Sequence, residues 1–354
     1  MEGIHEILTA LSSDTSLRGD VLATIIHVEG SAYQKEGTSM LFRGDGTRVG
    51  MLSAGCLETD LSHRVQAARN EGTARTVRYD MREEDDLSWG HGAGCNGVII
   101  HVLLEPVDVF LRDQLRKLKF HLDNGNRVTM IKKLTNEFAV SDYLFLSDDL
   151  HHFGKWHGPV SRELKSLINN LHQAFPKSGM RFLTELSATV YLHSFEPKPR
   201  LIVFGAGEDA VPLVKFASHA GFKVIIADWR SAVCTKVNFP DADHLLVGYP
   251  RETIPLLDLT RFDSVLIFTD QFQLDKELVN QLKNLELSYL GLLGPSSWAQ
   301  LLLDGEKSPV HISCPAGLPI GAEGPEEIAI SIVAELIQRQ RKENDQKVVS
   351  VERK

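Results

Sequence analysis

The chain has few cysteines, no long apolar run and no excess of positive charge. Its four cysteines, Cys56, Cys95, Cys234 and Cys314, stand far apart in 354 residues, without the paired spacing of a zinc ribbon or a thioredoxin-like site. Reduced thiols in a cytoplasmic protein are the expectation. No stretch approaches the roughly 20 apolar residues of a membrane span, and the N-terminus MEGIHEILTALSSDTS lacks the basic start and apolar stretch of a secretory signal. No membrane role is expected. The 38 basic residues are outnumbered by 47 acidic ones, giving a formal charge of −9, whereas a nucleic-acid footprint needs clustered positive charge to displace counterions. Nucleic acid is therefore not an expected partner. Internal repeats and low-complexity segments are absent. Small molecules and protein surfaces remain as partners.

What is present is an α/β pattern long enough for two domains. An amphipathic helix over Gly3 to Leu11 precedes a buried strand over Val21 to Val28. The turn Gly44-Asp45-Gly46 between TSMLF and TRVGML predicts a β-hairpin. A helix from about Leu57 to Arg69 follows, then strands TARTVRY and GVIIHVLLEP and a helix near Asp108 to Leu122. Strand NRVTMIKKL, a helix near Ser161 to Ala174, and strands MRFLTEL and ATVYLHSF complete a mixed α/β domain over residues 1–195. The Glu196-Pro197-Lys198-Pro199 segment interrupts helix and strand alike. Beyond it, apolar runs LIVF, KVIIA, HLLVG, DSVLIF and LSYLGLL alternate with helical stretches, the pattern of a parallel sheet covered on both faces. A Rossmann-type domain over 200–340 is predicted, followed by a charge-rich tail over 341–354.

The strongest motif is Gly205-Ala206-Gly207-Glu208-Asp209-Ala210, set between a strand and a helix. Here G-x-G-x-x-G/A has its required context. Gly205 permits the tight turn, Gly207 lets a pyrophosphate approach, and Ala210 keeps helix and strand close. Asp228 ends the second strand, 21 positions after Gly207, with Arg230 beside it; an acid there can bond ribose hydroxyls. Glu208 and Asp209, however, place two carboxylates in the first helical turn. They suit the helix dipole but repel a phosphate lying close by.

Two glycine-cysteine turns mark the first domain: Ser53-Ala54-Gly55-Cys56-Leu57-Glu58 before a helix, and Gly90-His91-Gly92-Ala93-Gly94-Cys95-Asn96-Gly97 before a strand. A thiolate at a helix N-terminus is stabilised for nucleophilic or metal-directed chemistry, and neighbouring glycines leave amides open to an anion. A small buried hydrophobe beside a turn is the alternative for each cysteine.

These turns, with Gly30-Ser31-Ala32, the Rossmann GAG, Asp228-Trp229-Arg230 and the run GLPIGAEGPEEIAISIVAEL from Gly317 to Leu336, together resemble the XdhC/CoxI family of xanthine dehydrogenase accessory proteins. The resemblance spans about Gly3 to Leu336 and is weakest between Val107 and Phe195. It implies a maturation factor that binds molybdenum cofactor (molybdopterin), assists installation of its terminal sulfur, and hands it to a xanthine dehydrogenase-type molybdoenzyme, with a cysteine desulfurase as a further partner. A pterin phosphate suits glycine-rich amides and a sulfur-ligated metal suits a thiolate. On this reading Cys56 or Cys95 lies near the molybdenum or the transferred sulfur, and Glu58 is a further candidate for catalysis. Gly55, Gly94, Gly205, Gly207, Ala210, Asp228, Arg230, Gly294 and Ser296 are candidates for holding the cofactor. The site is expected where the Gly205 to Ala210 loop meets the two cysteine turns.

The sequence departs from the family pattern at Thr269-Asp270-Gln271-Phe272-Gln273-Leu274-Asp275, where a histidine-bearing run is usual. It departs again at Gly291 to Ser297, where basic residues are usual. An NAD(P)-dependent oxidoreductase or a nucleotide-sensing dehydrogenase subunit is the competing reading, although no His/Asp or Tyr/Lys pair stands near the crevice to accompany a hydride. A twofold homodimer is the common state for such an architecture. His151, His152 and His157 lack helical ligand spacing and read as a polar loop. The acidic run Glu83 to Asp86 reads as a solvated loop, and Ile328 to Leu336 as a helix covering the sheet.

Overall fold

The computed structural model describes residues 2–13, 19–53, 55, 57–81, 97–135, 137–157, 162–173, 177–305 and 312–352. The chain divides into two compact units, Met1–Pro197 with Val348–Lys354, and Lys198–Lys347.

The first unit holds two antiparallel five-stranded sheets. In the first, β1 (Val21–Glu29) is flanked by β2 (Ser39–Phe42) and β5 (Ile99–Pro106), with β3 (Arg48–Gly50) and β4 (Arg75–Asp80) at the edges. The two sides of β1 serve two cores, because successive strand side chains point to opposite faces. Val21, Ala23 and Ile25 meet Leu61, Val65 and Ala68 of α2 (Glu58–Glu71), whereas Leu22 joins a cluster with α1 (Glu2–Ser13) and α3 (Val109–Asp123). Leu111, Leu115, Leu118 and Leu122 recur along one face of α3, and Asp108 caps it, accepting from the Leu111 amide at 2.7 Å.

The same cluster reaches the second sheet through Met130, Phe145 and Tyr191. This sheet has the order β8-β7-β6-β10-β9, comprising β6 (Val128–Leu134), β7 (Val140–Ser147), β8 (His152–Lys155), β9 (Gly179–Leu183) and β10 (Ala188–Phe195). Ile168 of α4 (Arg162–Gln173) packs on its other face. The hairpin β7–β8 corrects the polar-loop reading: His152 opens a strand and His151 sits in the turn before it. VSDYLFLS carries six consecutive buried residues, and the strand it pairs with contains His152 and Phe153. A single 3-10 turn at Thr184–Leu186 also ends β9 earlier than the run MRFLTEL suggests.

The second unit is a six-stranded parallel sheet of order β13-β12-β11-β14-β15-β16. Its strands are β11 (Arg200–Phe204), β12 (Lys223–Asp228), β13 (His244–Val247), β14 (Ser264–Ile267), β15 (Tyr289–Leu292) and β16 (Ile312–Ser313). One face packs on α5 (Ala210–His219) and on Ala329, Ile332, Val333 and Leu336 of α9 (Gly324–Glu352). The other is covered by α6 (Pro250–Leu257), α7 (Phe272–Leu282) and α8 (Ser296–Leu302). Strand order reverses about β11, whose neighbours are β12 and β14. At such a switch point the loops diverge and leave a crevice.

Candidate functional site

The crevice of the second unit is built around Gly205. Its φ is +121°, and a Cβ there would lie 2.1 Å from the Phe268 carbonyl oxygen, so only glycine fits between β11 and the end of β14. The second glycine serves differently from a dinucleotide fingerprint. A Cβ on Gly207 would lie 2.5 Å from Asp209 Oδ1, which places the Asp209 carboxylate over the space the glycine leaves open. Asp209 stands at the N-cap of α5 without a side-chain cap bond, and the Ala210 amide donates to the Gly207 carbonyl at 3.1 Å. The protein's own carboxylate thus occupies a helix start that elsewhere receives phosphate. Burial raises the Asp209 carboxyl above its ordinary range, and the charges of Asp270 and Glu208 push the same way.

Asp228, 2% exposed, is equally engaged. Oδ2 accepts from Ala206 N and Arg230 Nη2, both at 2.7 Å, and Oδ1 from Arg230 N at 2.8 Å and Nε at 3.0 Å. These four donors match the roughly four lone-pair positions of a carboxylate, leaving none for a ribose hydroxyl unless Arg230 moves. Burial opposes ionisation, but the Arg230 hydrogen bonds and the two amides outweigh it and hold the carboxyl below its usual range. The Arg230 guanidinium also lies 4.6 Å from the Trp229 ring centre, an attractive cation–π arrangement.

The rest of the rim comes from the ends of β14 and β15. Thr269 donates to Asp275 Oδ1, Trp298 Nε1 donates to Oδ2 at 3.2 Å, and Gln271 N donates to Thr269 Oγ1 at 3.2 Å. Burial pushes the Asp275 carboxyl up against these bonds. Asp270 itself is exposed with a left-handed φ of +56°. Gly294 has φ +128° under Trp298, and the exposed Ser296 donates to the Cys314 carbonyl at 3.4 Å. The Cys314 Sγ faces the carbonyls of Gly294 and Pro295 at 3.5 and 3.6 Å. Burial pushes the thiols of Cys314 and Cys234 up, away from reactive thiolates. Between α5 and α9 lies a cavity of about 110 Å³, lined by Leu213, Phe268, Leu293, Ile328 and Ile332 with Asp209 as its one charged wall. Ligand pockets for drug-sized molecules run about 300–1,000 Å³, so this space is too small for a dinucleotide.

In the first unit, Glu58 (8% exposed) folds back over the turn before α2. It accepts from Ser53 N at 2.7 Å, from Leu52 N at 3.3 Å and from the Ser53 hydroxyl, while Leu57 N donates to Ser53 Oγ at 3.0 Å. Its carboxylate therefore ties Leu52 and Ser53 to the start of α2. Gly55 is exposed with φ +108°, a conformation that favours glycine. Cys56, Gly94, Cys95 and the acidic run Glu83 to Asp86 lie outside the described residues. Sequence reasoning singled out Gly205, Gly207, Ala210, Asp228 and Arg230 and flagged Asp209. It missed the Thr269–Asp275–Trp298 network, whose members are spaced by helix and loop lengths that carry no motif. It also missed Glu335 of α9, which receives Tyr289 Oη and Ser313 Oγ at 2.8 Å and the Gly317 amide at 2.7 Å.

Fold and crevice define an α/β protein with a Rossmann unit whose fingerprint is closed by its own carboxylates. Comparison with known proteins narrows this class. The profile of the XdhC Rossmann domain matches residues 201–336, that of the XdhC and CoxI family matches 18–80, and that of the BH1974-like central domain matches 110–196. The chain is 42% identical over 342 residues to a Bacillus subtilis (strain 168) protein described as a probable subunit of xanthine dehydrogenase, covering 97% of this chain and 99% of that one. An uncharacterized protein, YqeB of Escherichia coli (strain K12), is 30% identical over 158 residues, 42% of this chain and 29% of that protein. A crystal structure described as a xanthine dehydrogenase (BH1974) from Bacillus halodurans superposes with a TM-score of 0.85 at 44% identity, covering 96% of both chains. The chain belongs to the XdhC and CoxI family.

Proposed function

We propose that this protein is an accessory factor for a xanthine dehydrogenase-type molybdoenzyme, assisting the sulfuration of molybdenum cofactor and its insertion into that partner. The observation that carries this reading is kinship over nearly the whole length, 97% of this chain and 99% of the relative, with a protein named for xanthine dehydrogenase. The crevice supports it by what it withholds from the competing oxidoreductase: Asp209 covers the pyrophosphate position and Arg230 fills the acceptors of Asp228.

A pterin phosphate meets the same obstacle. With Asp209 over Gly207 and Glu208 and Asp270 nearby, the Gly205 to Ala210 loop in this arrangement does not fit an anionic cofactor. Cofactor contact on this reading falls to the glycine-cysteine turns, the first of them bounded by the Ser53–Glu58 bonds. The test is to purify the protein with its partner and assay bound pterin and molybdenum against bound nicotinamide. Pterin and molybdenum without nicotinamide are expected, whereas a tight nicotinamide complex with hydride turnover and no pterin would sink the reading. Replacing both Cys56 and Cys95 by serine should abolish partner activation. Retained cofactor binding and activation would remove the thiols from the proposal.

A further inference from the structure

The packing of α3 on the second sheet of the first unit brings together three metal-binding side chains, one of them far from the others in sequence. His121 sits in the last turn of α3, and Asp149 and His151 lie in the turn between β7 and β8. Their ligand atoms all fall within 4.8 Å of one another. His121 Nδ1 faces Asp149 Oδ1 at 3.4 Å, and His151 Nδ1 lies 3.0 Å from Asp149 Oδ2. A tetrahedral ion held at about 2.0–2.1 Å sets its ligand atoms about 3.3 Å apart, so each imidazole stands at ligand spacing from one oxygen of the Asp149 carboxylate.

The second observation is the state of His121. It is 7% exposed, and its buried Nδ1 has no hydrogen-bond partner, a costly condition for an imidazole nitrogen unless something else satisfies it. The ring is held in place, stacked on Phe153 with centres 5.4 Å apart and planes 9° apart. The Ser147 hydroxyl bonds Asp149 Oδ1, the kind of outer contact that orients a carboxylate ligand. His151, by contrast, has a side chain 71% exposed, which leaves an approach for the ion and for water.

We propose that His121, Asp149 and His151 form a binding site for a late first-row divalent cation, with zinc as the reference ion. Two imidazoles and one carboxylate are borderline ligands of the kind such ions prefer over magnesium or calcium. Three protein ligands leave a position for water. The ion would tie the end of α3 to the β7–β8 turn, a clip in the first unit separate from the molybdenum chemistry proposed above.

The experiment titrates the metal-stripped full chain with Zn²⁺ by calorimetry and with Co²⁺ by visible absorption, in the natural sequence and in a Cys56→Ser/Cys95→Ser variant that removes those thiols as ligands. One ion per chain is expected in both at this site, with a Co²⁺ spectrum lacking thiolate charge transfer in the serine variant. His151→Ala and Asp149→Asn, at more exposed positions than His121, should each weaken Zn²⁺ binding about a hundredfold and abolish the rise in unfolding temperature that Zn²⁺ gives the parent. Absence of a bound ion in the serine variant, or unchanged affinity in both ligand variants, would overturn the site. Neither result bears on the accessory role.

Discussion

Asp209 decides what the Rossmann crevice can hold. Its carboxylate lies over Gly207 and is pushed toward the neutral form by burial, Asp270 and Glu208. Replacing it by alanine should therefore strengthen binding of inorganic pyrophosphate or ADP-ribose about tenfold, the equivalent of about 1.4 kcal/mol, measured by calorimetry. No gain would mean that the loop is closed for another reason. In the parent protein, pyrophosphate affinity should rise as pH falls through the raised Asp209 range, because the repelling charge is then removed.

His193 carries a different pH dependence. Burial, with Lys132 adding like charge, pushes its imidazole down to about 4, and its Nδ1 pairs with Ser178 at 2.6 Å. The folded state thus binds its proton less readily than an unfolded chain with a pKa of about 6.5. Its contribution is fully present above about 6.5 and is lost as pH falls toward 4. Thermal unfolding followed from pH 7 to 4 should show this loss, reduced in His193→Gln.

At the scale of elements, the two sheets of the first unit are joined by a buried ion pair. Lys132 of β6 donates to Glu105 of β5, with side chains 3% and 4% exposed. Lys132→Met leaves the carboxylate buried without its partner and should cost about 3–5 kcal/mol in a denaturant titration. Adding Glu105→Gln should recover much of it. A cost below about 1 kcal/mol for the single variant would show that water or another cation replaces Lys132. In the second unit, Glu335 performs a comparable task, paired with Arg339 Nη2 at 3.4 Å. It gathers Tyr289, Ser313 and the Gly317 amide, and so holds the glycine-rich loop before α9 against the sheet. Glu335→Ala strands a buried tyrosine hydroxyl and an amide, and a loss of about 2–3 kcal/mol is expected by the same titration.

At the scale of the molecule, legibility followed periodicity. The parallel strands of the second unit and the Gly205 motif were readable because apolar runs, helical spacing and glycine all agreed. The hairpin β7–β8 was not, since polar Ser141 and Asp142 stand near the start of β7 and His151 and His152 lie at the turn. The two-residue β16 is too short to leave a pattern. At the crevice, the acids were legible but not their direction. Sequence places Asp209 in the first helical turn, yet only the folded chain shows the carboxylate turned over Gly207 and Arg230 closed on Asp228. His121 meets Asp149 and His151 only because α3 packs against the second sheet, a tertiary fact without a local signal.

The most direct measurement compares a xanthine dehydrogenase-type partner produced in cells with and without this protein, assaying its specific activity and its content of cyanide-releasable terminal sulfur. An accessory factor in maturation predicts partner that folds in both cases but is inactive and sulfur-deficient when this protein is absent. Partner of full activity and full sulfur content in its absence would contradict that role.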